Sequence, residues 1–125
     1  MKTERQKIVK KLDKIVSEIV RKRDKVCVQC GGDYRLGAGH VFSRVHYATR
    51  WDVSEKGNVF CQCWKCNFRH VRDQYPYFKW YMDKFGVNQF KLLRRKHNEV
   101  TKLSTPQLEK IYEKLKAHRD ALPDK

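Results

Sequence analysis

The chain has 125 residues, which suffice for one domain with a modest core and exclude two large domains. Its 29 lysines and arginines against 14 acidic residues give a net charge of +15 spread through the chain. A polyanion, DNA or RNA, is therefore the expected partner ahead of a membrane surface, and a merely solvated basic surface is the alternative. The first residues lack the apolar segment of a secretory signal, and no apolar run approaches membrane-spanning length. We therefore expect a cytoplasmic protein whose five cysteines are thiols or metal ligands.

The N-terminal segment, residues 1–25, has the pattern of an amphipathic helix over residues 3–23, because apolar residues recur there at helical spacing between charged ones. Leu12, Ile15 and Ile19 also fit a short heptad seam. Packing on the chain's own core is favoured over a dimer seam, because two heptads are too few for a convincing coiled coil.

The central segment, residues 26–86, loses the helical pattern from Val26 to His70 and contains glycines, cysteines and short β-prone runs such as HVF and NVF. A helix is predicted around YPYFKWYMDKF, ending at Gly86. Its aromatic residues could stack on exposed bases. Tyr77 and Tyr81 share one helical face, however, which favours packing into the core.

The C-terminal segment, residues 87–125, is predicted to form basic helices. One should include Phe90, Leu93, His97 and Val100, which recur at helical spacing. Another should follow a Ser104 or Thr105 cap, with a proline in its first turn. The last four residues, LPDK, are expected to fray.

The cysteines indicate a structural zinc site. Cys27 and Cys30 form one C-x-x-C knuckle, and the second pair could be Cys61 with Cys63 or Cys63 with Cys66. The second of these repeats the spacing of the first knuckle, and two such knuckles are typical of a closed zinc site with four thiolate ligands. Cys61 would then be spare, a small buried apolar residue.

Polar residues in a fixed order surround the predicted zinc site. They are His40, Arg44, His46, Arg50, Asn58, Asn67 and His70. The order C-x-x-C, Gly-His, Asn, C-x-x-C-Asn and a following histidine resembles the zinc-stabilised HNH (ββα-metal) endonucleases. Within them, AGHVFSR…H…TRW…N…QCWKCN…H is most similar to the phage NinG (Rap) recombination endonucleases. The resemblance covers residues 26–86.

This resemblance implies an α+β fold: a small ββα-metal core with a four-cysteine zinc site, flanked by N-terminal and C-terminal helices. His40 would be the general base, since imidazole titrates near neutral pH. Asn58 would be the HNH asparagine, which fixes the loop and orients the base. Asn67 and His70, three residues apart on a helix that begins after the second knuckle, would hold a catalytic Mg²⁺ or Mn²⁺ ion.

The chain departs from the family pattern at Gly39. Many HNH enzymes have a metal-binding Asp or His directly before the base, where this sequence has glycine. His46 is the substitute ligand that we expect. Alternatively, His40 is itself a ligand and His46 is the base.

The function that the resemblance implies is hydrolysis of phosphodiester bonds in branched DNA, such as Holliday junctions or D-loops, by a phage protein acting in the host cytoplasm. Symmetric cutting of a four-way junction would need two active sites, so a homodimer is expected, with the first helix as its candidate interface. The alternatives are an HNH homing, packaging or restriction-type enzyme that cuts duplex DNA, and a non-catalytic zinc-finger protein that binds nucleic acid.

Several basic residues are candidate phosphate contacts, which position a duplex without reading its sequence and make binding sensitive to salt. They are Arg21, Lys22, Arg23, Lys25, Arg44, Arg50, Arg94, Arg95 and Lys96.

Overall fold

A computed structural model describes residues 1–123 and shows an α+β fold in this range. The elements in chain order are α1 (Glu4–Asp24), β1 (Leu36–His40), α2 (Tyr47–Arg50), β2 (Val59–Cys63), α3 (Trp64–Arg72), α4 (Tyr75–Phe85), α5 (Val87–His97) and α6 (Thr105–Ala121). Residues 124 and 125, the end of the segment that we expected to fray, lie outside the described residues. None of the described helices is long and apolar enough to cross a membrane.

The first core cluster forms where α1 packs against α6. Thr3 caps α1 through a capping box with Gln6, so the helix begins one residue after the predicted position. Leu12, Ile15 and Ile19 are at most 1% exposed and pack in this cluster. The prediction that α1 packs on the chain's own core is confirmed, and its apolar face is therefore covered without a second copy.

The sheet consists of β1 and β2, paired antiparallel with His40 opposite Val59 and Leu36 opposite Cys63. β2 leads directly into α3, because the thiol of Cys63 caps this helix by accepting a hydrogen bond of 3.4 Å from the Cys66 amide. The helix that was expected to begin just after the second knuckle is therefore present, but it begins earlier, at Trp64, and the non-helical centre ends there instead of at His70. The central elements are therefore β1, the short helix α2, β2 and α3.

The second core cluster joins the sheet to α4 and α5. Tyr77 and Tyr81 are at most 1% exposed and pack with Phe42 and Phe60, as predicted for this aromatic face. α4 ends at Gly86 as expected.

The C-terminal helices agree with the prediction except at one position. α5 ends at His97, so Val100, which we expected within it, lies beyond its end and is 89% exposed. α6 begins with Ser104 as its cap, in a capping box with Gln107, and has proline in its first turn.

Candidate metal centre and active-site cleft

The four predicted zinc ligands lie together. The thiol sulfur atoms of Cys27, Cys30, Cys63 and Cys66 are all within 4.8 Å of one another. The Sγ atoms of Cys30 and Cys63 are 3.6 Å apart. A tetrahedral zinc with Zn–S bonds of about 2.3 Å requires S···S distances of roughly 3.8 Å, so these four cysteines could hold a structural zinc.

The local backbone explains how the knuckles form. Gly31 has a φ of 79°, which favours glycine, and its amide donates to the Cys27 carbonyl at 2.8 Å. In the second knuckle burial raises the pKa of Cys63, but hydrogen bonds from Cys66 and the other cluster thiols outweigh burial and lower it to about 7. A thiolate, the form that binds zinc, is therefore accessible near neutral pH.

Cys61 lies outside this cluster, in the apolar core between α1 and the sheet. Burial and the neighbouring Asp24 carboxylate raise the pKa of its thiol to about 12. Cys61 is therefore the small buried apolar residue that the cysteine spacing predicted, and it is not a zinc ligand in this cluster.

A cleft of about 620 Å³ lies beside the sheet, between α1, α3 and the loop after β1. It brings together four residues that the sequence singled out, His40, Arg44, Asn67 and His70. α1 contributes Asp13 and Ser17 to the same cleft.

His40 is held with one ring nitrogen against the backbone. Its Nε2 lies 2.8 Å from the Arg50 carbonyl oxygen, which can only accept a hydrogen bond, so Nε2 carries the proton and Nδ1 has the lone pair. Burial lowers the pKa of His40 to about 4, a shift that Arg44 reinforces and the Arg50 carbonyl opposes. His40 is therefore a neutral imidazole at physiological pH.

His70 follows the same arrangement. Its Nε2 donates to the Val41 carbonyl at 2.9 Å, and its buried Nδ1 has no hydrogen-bond partner among the described residues. Burial lowers the pKa of this histidine as well. Asn67, three residues earlier on α3, lines the same cleft. An amide oxygen and an unpartnered imidazole nitrogen are both suitable ligand atoms for a divalent metal ion.

Asn58 closes the loop between the two strands. Its side chain is fully buried, accepts from the Phe42 amide at 2.8 Å and donates to the carbonyls of Phe42 and Thr49 at 2.9 and 3.2 Å. Thr49 directly precedes Arg50, whose carbonyl accepts from His40. The side chain of Asn58 therefore makes no hydrogen bond to His40 among the described residues, but it holds the segment whose carbonyl accepts from His40.

Gly39 faces away from the cleft, into the core. A Cβ atom at this position would lie 2.1 Å from Oε1 of Gln62, whose side chain is fully buried. The Gly39 carbonyl also accepts a hydrogen bond of 2.9 Å from the Tyr77 hydroxyl. At the position where many HNH enzymes have a metal ligand, this fold therefore has no room for a side chain.

Asp13 is a cleft residue that the sequence reasoning missed. Its carboxylate accepts from Nε and Nη2 of Arg50 at 3.0 and 2.6 Å, and from the Trp51 indole at 2.9 Å. The only signal in the sequence was an acidic residue beside the apolar face of a basic helix, which does not distinguish Asp13 from Glu18.

His46 does not line the cleft. Its Nδ1 lies 2.7 Å from the His97 carbonyl oxygen, and its ring stacks on the ring of His97 with centroids 4.2 Å apart. Because α5 holds His46 in this position, the geometry supports neither of the roles that we expected for it, metal ligand or base.

The candidate phosphate contacts divide into two groups. Those engaged within the protein are Arg21, Lys22, Arg23, Arg50 and Lys96. Arg23, for example, bonds to Asp24 and to the carbonyls of Val53 and Val59. The exposed ones are Lys25, Arg44, Arg94 and Arg95, whose side chains make no hydrogen bond to the rest of residues 1–123.

The fold and the site together define a small α+β protein with a candidate structural zinc site and a histidine-lined cleft. The family model described as "Bacteriophage Lambda NinG protein" matches residues 1–124. The chain therefore belongs to the phage NinG family, and the match includes α1 and α6 in addition to the central segment. No curated protein and no solved structure shows a significant match.

Proposed function

We propose that this protein is a metal-dependent DNA endonuclease of the HNH type. The observation that carries the proposal is the meeting of His40, Asn67 and His70 in one cleft, with both imidazoles anchored through Nε2 on backbone carbonyls. The pairing of β1 with β2, which the short α2 separates in the chain, and the position of α3 directly after β2 support a ββα-metal core, with His40 at the end of the first strand and the candidate ligands on α3.

In the proposed reaction His40 is the general base. Its Nδ1 takes a proton from water, the water oxygen attacks the phosphorus, and the bond from phosphorus to the leaving oxygen breaks. The leaving oxygen then takes a proton from solvent. A neutral imidazole is the form that this step needs, and burial keeps His40 in that form.

Asn67 and His70 are the proposed ligands of the catalytic ion. A bound Mg²⁺ or Mn²⁺ supplies charge stabilisation at the scissile phosphate and the leaving oxygen. His70 offers an Nδ1 without a partner, and Asn67 offers an oxygen in the same wall of the cleft. His46 is not proposed as a third ligand, because it lies against α5.

DNA as the substrate is supported by charge. Arg44 lines the cleft, is exposed and lies close enough to His40 to lower its pKa, so it can meet a phosphate entering the site. The net charge of +15 supplies the wider attraction for a polyanion. We propose a branched substrate made during phage recombination, which the family membership favours.

Cleavage of a four-way junction on two strands requires two active sites, and we propose that two copies of the chain act together on such a substrate. The apolar face of α1 is already covered within one copy, so the contact between copies would use another surface. Sedimentation of the free protein and of its junction complex measures this directly. One copy per junction would contradict a paired arrangement.

The test is a DNA cleavage assay with zinc-loaded protein and added Mg²⁺ or Mn²⁺, in which nicked products are separated by gel electrophoresis. We expect His40→Ala to lower the single-turnover rate at least 100-fold, in the range that general base catalysis contributes. His70→Ala should lower the rate and weaken its dependence on the divalent ion. His118→Ala, an exposed histidine on α6, is the matched control and should cut at the wild-type rate. Equal rates for wild type and His40→Ala would refute the catalytic assignment.

The substrate requires a second comparison. A panel of linear duplex, Y-fork and four-way junction of related sequence separates the proposed enzyme from a duplex-cutting HNH enzyme. Faster cleavage of the branched DNAs supports the proposal, whereas equal or faster cleavage of linear duplex favours the duplex enzyme. Tight, salt-sensitive binding without divalent-dependent nicking would identify a non-catalytic nucleic-acid-binding protein.

A further inference from the structure

α3 carries a row of apolar side chains that are more than half exposed. Trp64, Phe68 and Val71 are spaced by four and three residues, so they share one side of the helix. Their side chains are 53, 52 and 82% exposed. We refer to these three residues as the α3 stripe. Large apolar residues aligned on a solvent-facing side of a small basic protein usually mark a contact surface.

The aromatic part of the stripe is already arranged as a stacking platform. The rings of Trp64 and Phe68 lie with centroids 5.7 Å apart and planes inclined by 18°. The guanidinium group of Arg35 lies 5.7 Å from the centroid of the Trp64 ring. Aromatic rings held in position in this way can accept another flat ring with little loss of conformational entropy.

The charge around the stripe selects the kind of partner. Each stripe residue is followed in the sequence by a cation, in the pairs Trp64-Lys65, Phe68-Arg69 and Val71-Arg72. These three cations are exposed, and none forms an ion pair with a carboxylate within the described residues. A nucleotide offers both complementary features, an apolar base face and an anionic phosphate, in one repeating unit.

The stripe is continuous with the candidate active site. Val71 lines the cleft together with Asn67 and His70, and all three are on α3. A DNA strand that passes from the cleft along α3 would therefore meet Phe68 and then Trp64.

We propose that the α3 stripe stacks on unpaired bases of DNA beside the strand that enters the cleft. In a continuous duplex each base face is covered by its neighbours, so Trp64 and Phe68 have nothing to stack on. In DNA with a gap or a branch, base faces are accessible. The stripe thus gives the protein a preference for DNA with unpaired bases. The location of the strand rests on the proposed function, whereas the stacking does not require cleavage.

The test measures binding without added Mg²⁺ or Mn²⁺, so that no strand is cut. Fluorescence anisotropy compares a labelled duplex that contains a gap of unpaired thymidines with the continuous duplex of the same length. We expect Trp64→Ala and Phe68→Ala each to weaken binding of the gapped DNA about tenfold, within the range measured for loss of base stacking. Binding of the continuous duplex should change less than twofold. Trp64→Phe, which keeps an aromatic face, should retain most of the affinity.

Two controls separate stacking from other effects. Leu92→Ala removes an equally exposed apolar side chain on α5 and should leave both affinities unchanged. Zinc content and melting temperature show whether the variants of α3 fold. For a variant that does not fold, tryptophan fluorescence of the wild type and of Trp64→Phe gives the answer, because gapped DNA should quench only the wild type and continuous duplex should quench neither.

Three outcomes would overturn the proposal. The first is an equal loss of affinity for both DNAs in the alanine variants, and the second is no loss for either. The third is a protein dimer in sedimentation that Trp64→Ala abolishes, which would assign the stripe to a second copy of the chain. None of these outcomes depends on nicking activity. A failure of the nuclease proposal in the His40→Ala experiment therefore remains distinguishable from a failure of the stacking proposal.

Discussion

The carboxylate of Asp13 accepts two hydrogen bonds from the guanidinium group of Arg50, at 3.0 and 2.6 Å. The backbone carbonyl of the same arginine accepts the hydrogen bond from Nε2 of His40. α1 therefore fixes the segment that fixes the proposed base, although it contributes no group that we assign to the chemistry. Burial alone would raise the pKa of Asp13, but the hydrogen bonds from Arg50 and Trp51 lower it, so the carboxylate stays ionised at neutral pH.

Substitution Asp13→Asn should slow cleavage without abolishing DNA binding. The amide keeps the size of the side chain and loses the charge that holds Arg50, so His40 becomes less well positioned. We expect about a tenfold lower single-turnover rate and a loss of about 1.5–3 kcal/mol in the free energy of unfolding, the usual range for hydrogen bonds to charged groups. The control is Glu18→Gln on the same helix, which removes the charge paired with Arg119 of α6 and should cut normally. A wild-type rate for Asp13→Asn would contradict the positioning role.

The low pKa of His40 predicts an unusual dependence on pH. Burial lowers it from 6.5 to about 4, so the base remains neutral well below the ordinary titration of histidine. In the pH profile of the single-turnover rate, the fall on the acid side should therefore lie below pH 6.5. The unfolded chain binds this proton at higher pH than the folded one, so the contribution of His40 to stability is constant above pH 6.5 and falls between pH 6.5 and 4. Rates and circular dichroism from pH 4 to 8 measure both effects, and a fall on the acid side at or above pH 6.5 would contradict the prediction.

Local patterns predicted most of the secondary structure, and they failed where a helix begins at an unusual capping residue. The spacing of apolar residues located α1, α4 and α6, because each of these helices buries one side. The start of α3 was expected after Cys66 and lies instead at Trp64, because its cap is the thiol of Cys63, whereas the usual capping residues are Ser, Thr, Asp and Asn. Cysteine spacing correctly selected the four clustered thiols, since C-x-x-C geometry is itself local.

The candidate cleft was predictable only in part, because it depends on contacts between distant segments. The resemblance indicated His40, Asn67 and His70, which the cleft brings together. Asp13 was missed because its partner Arg50 is 37 positions away and no local pattern connects them. His46 was expected at the site because it is close to His40 in sequence, but the stacking on His97 of α5 holds it elsewhere.

Removal of zinc should unfold the protein. Binding of structural zinc by thiolates is worth roughly 10–16 kcal/mol in small domains, which is comparable to the whole stability of a domain this size. We expect one zinc per chain in the wild type and in Cys61→Ala, whose thiol lies outside the cluster. Cys63→Ser should lose zinc and the cooperative thermal transition. Zinc measured by elemental analysis, with melting followed by circular dichroism, checks both expectations, and equal zinc content in Cys63→Ser would contradict the assignment.

Asn58→Ala should destabilise the fold more than its loop position suggests. The substitution leaves the amide and carbonyl of Phe42 without their buried partner, whereas the carbonyl of Thr49 still accepts from the Asp52 amide. Each buried polar group that loses its partner costs about 1–3 kcal/mol, and partial relaxation makes a total of about 2–4 kcal/mol the expected loss. Urea unfolding measures it. Asn88→Ala, at an exposed position of α5, should change stability by no more than about 0.5 kcal/mol, and a similarly small change at Asn58 would show that its hydrogen bonds are dispensable.

The division of the basic residues into exposed and engaged groups predicts opposite effects of two substitutions. Arg94 and Arg95 are exposed on α5 and make no side-chain hydrogen bond or ion pair within residues 1–123. The double substitution to alanine should weaken DNA binding and reduce the slope of log affinity against log salt by up to about 1.8, at unchanged melting temperature. Arg23 bonds to Asp24 and to two backbone carbonyls, so its removal should affect stability and not DNA binding. Arg23→Ala is expected to lower the melting temperature and leave the salt slope unchanged, because this side chain is engaged within the fold and is not available to phosphate. Salt titrations of binding and thermal melts of both variants test the division, and a reduced salt slope in Arg23→Ala would contradict it.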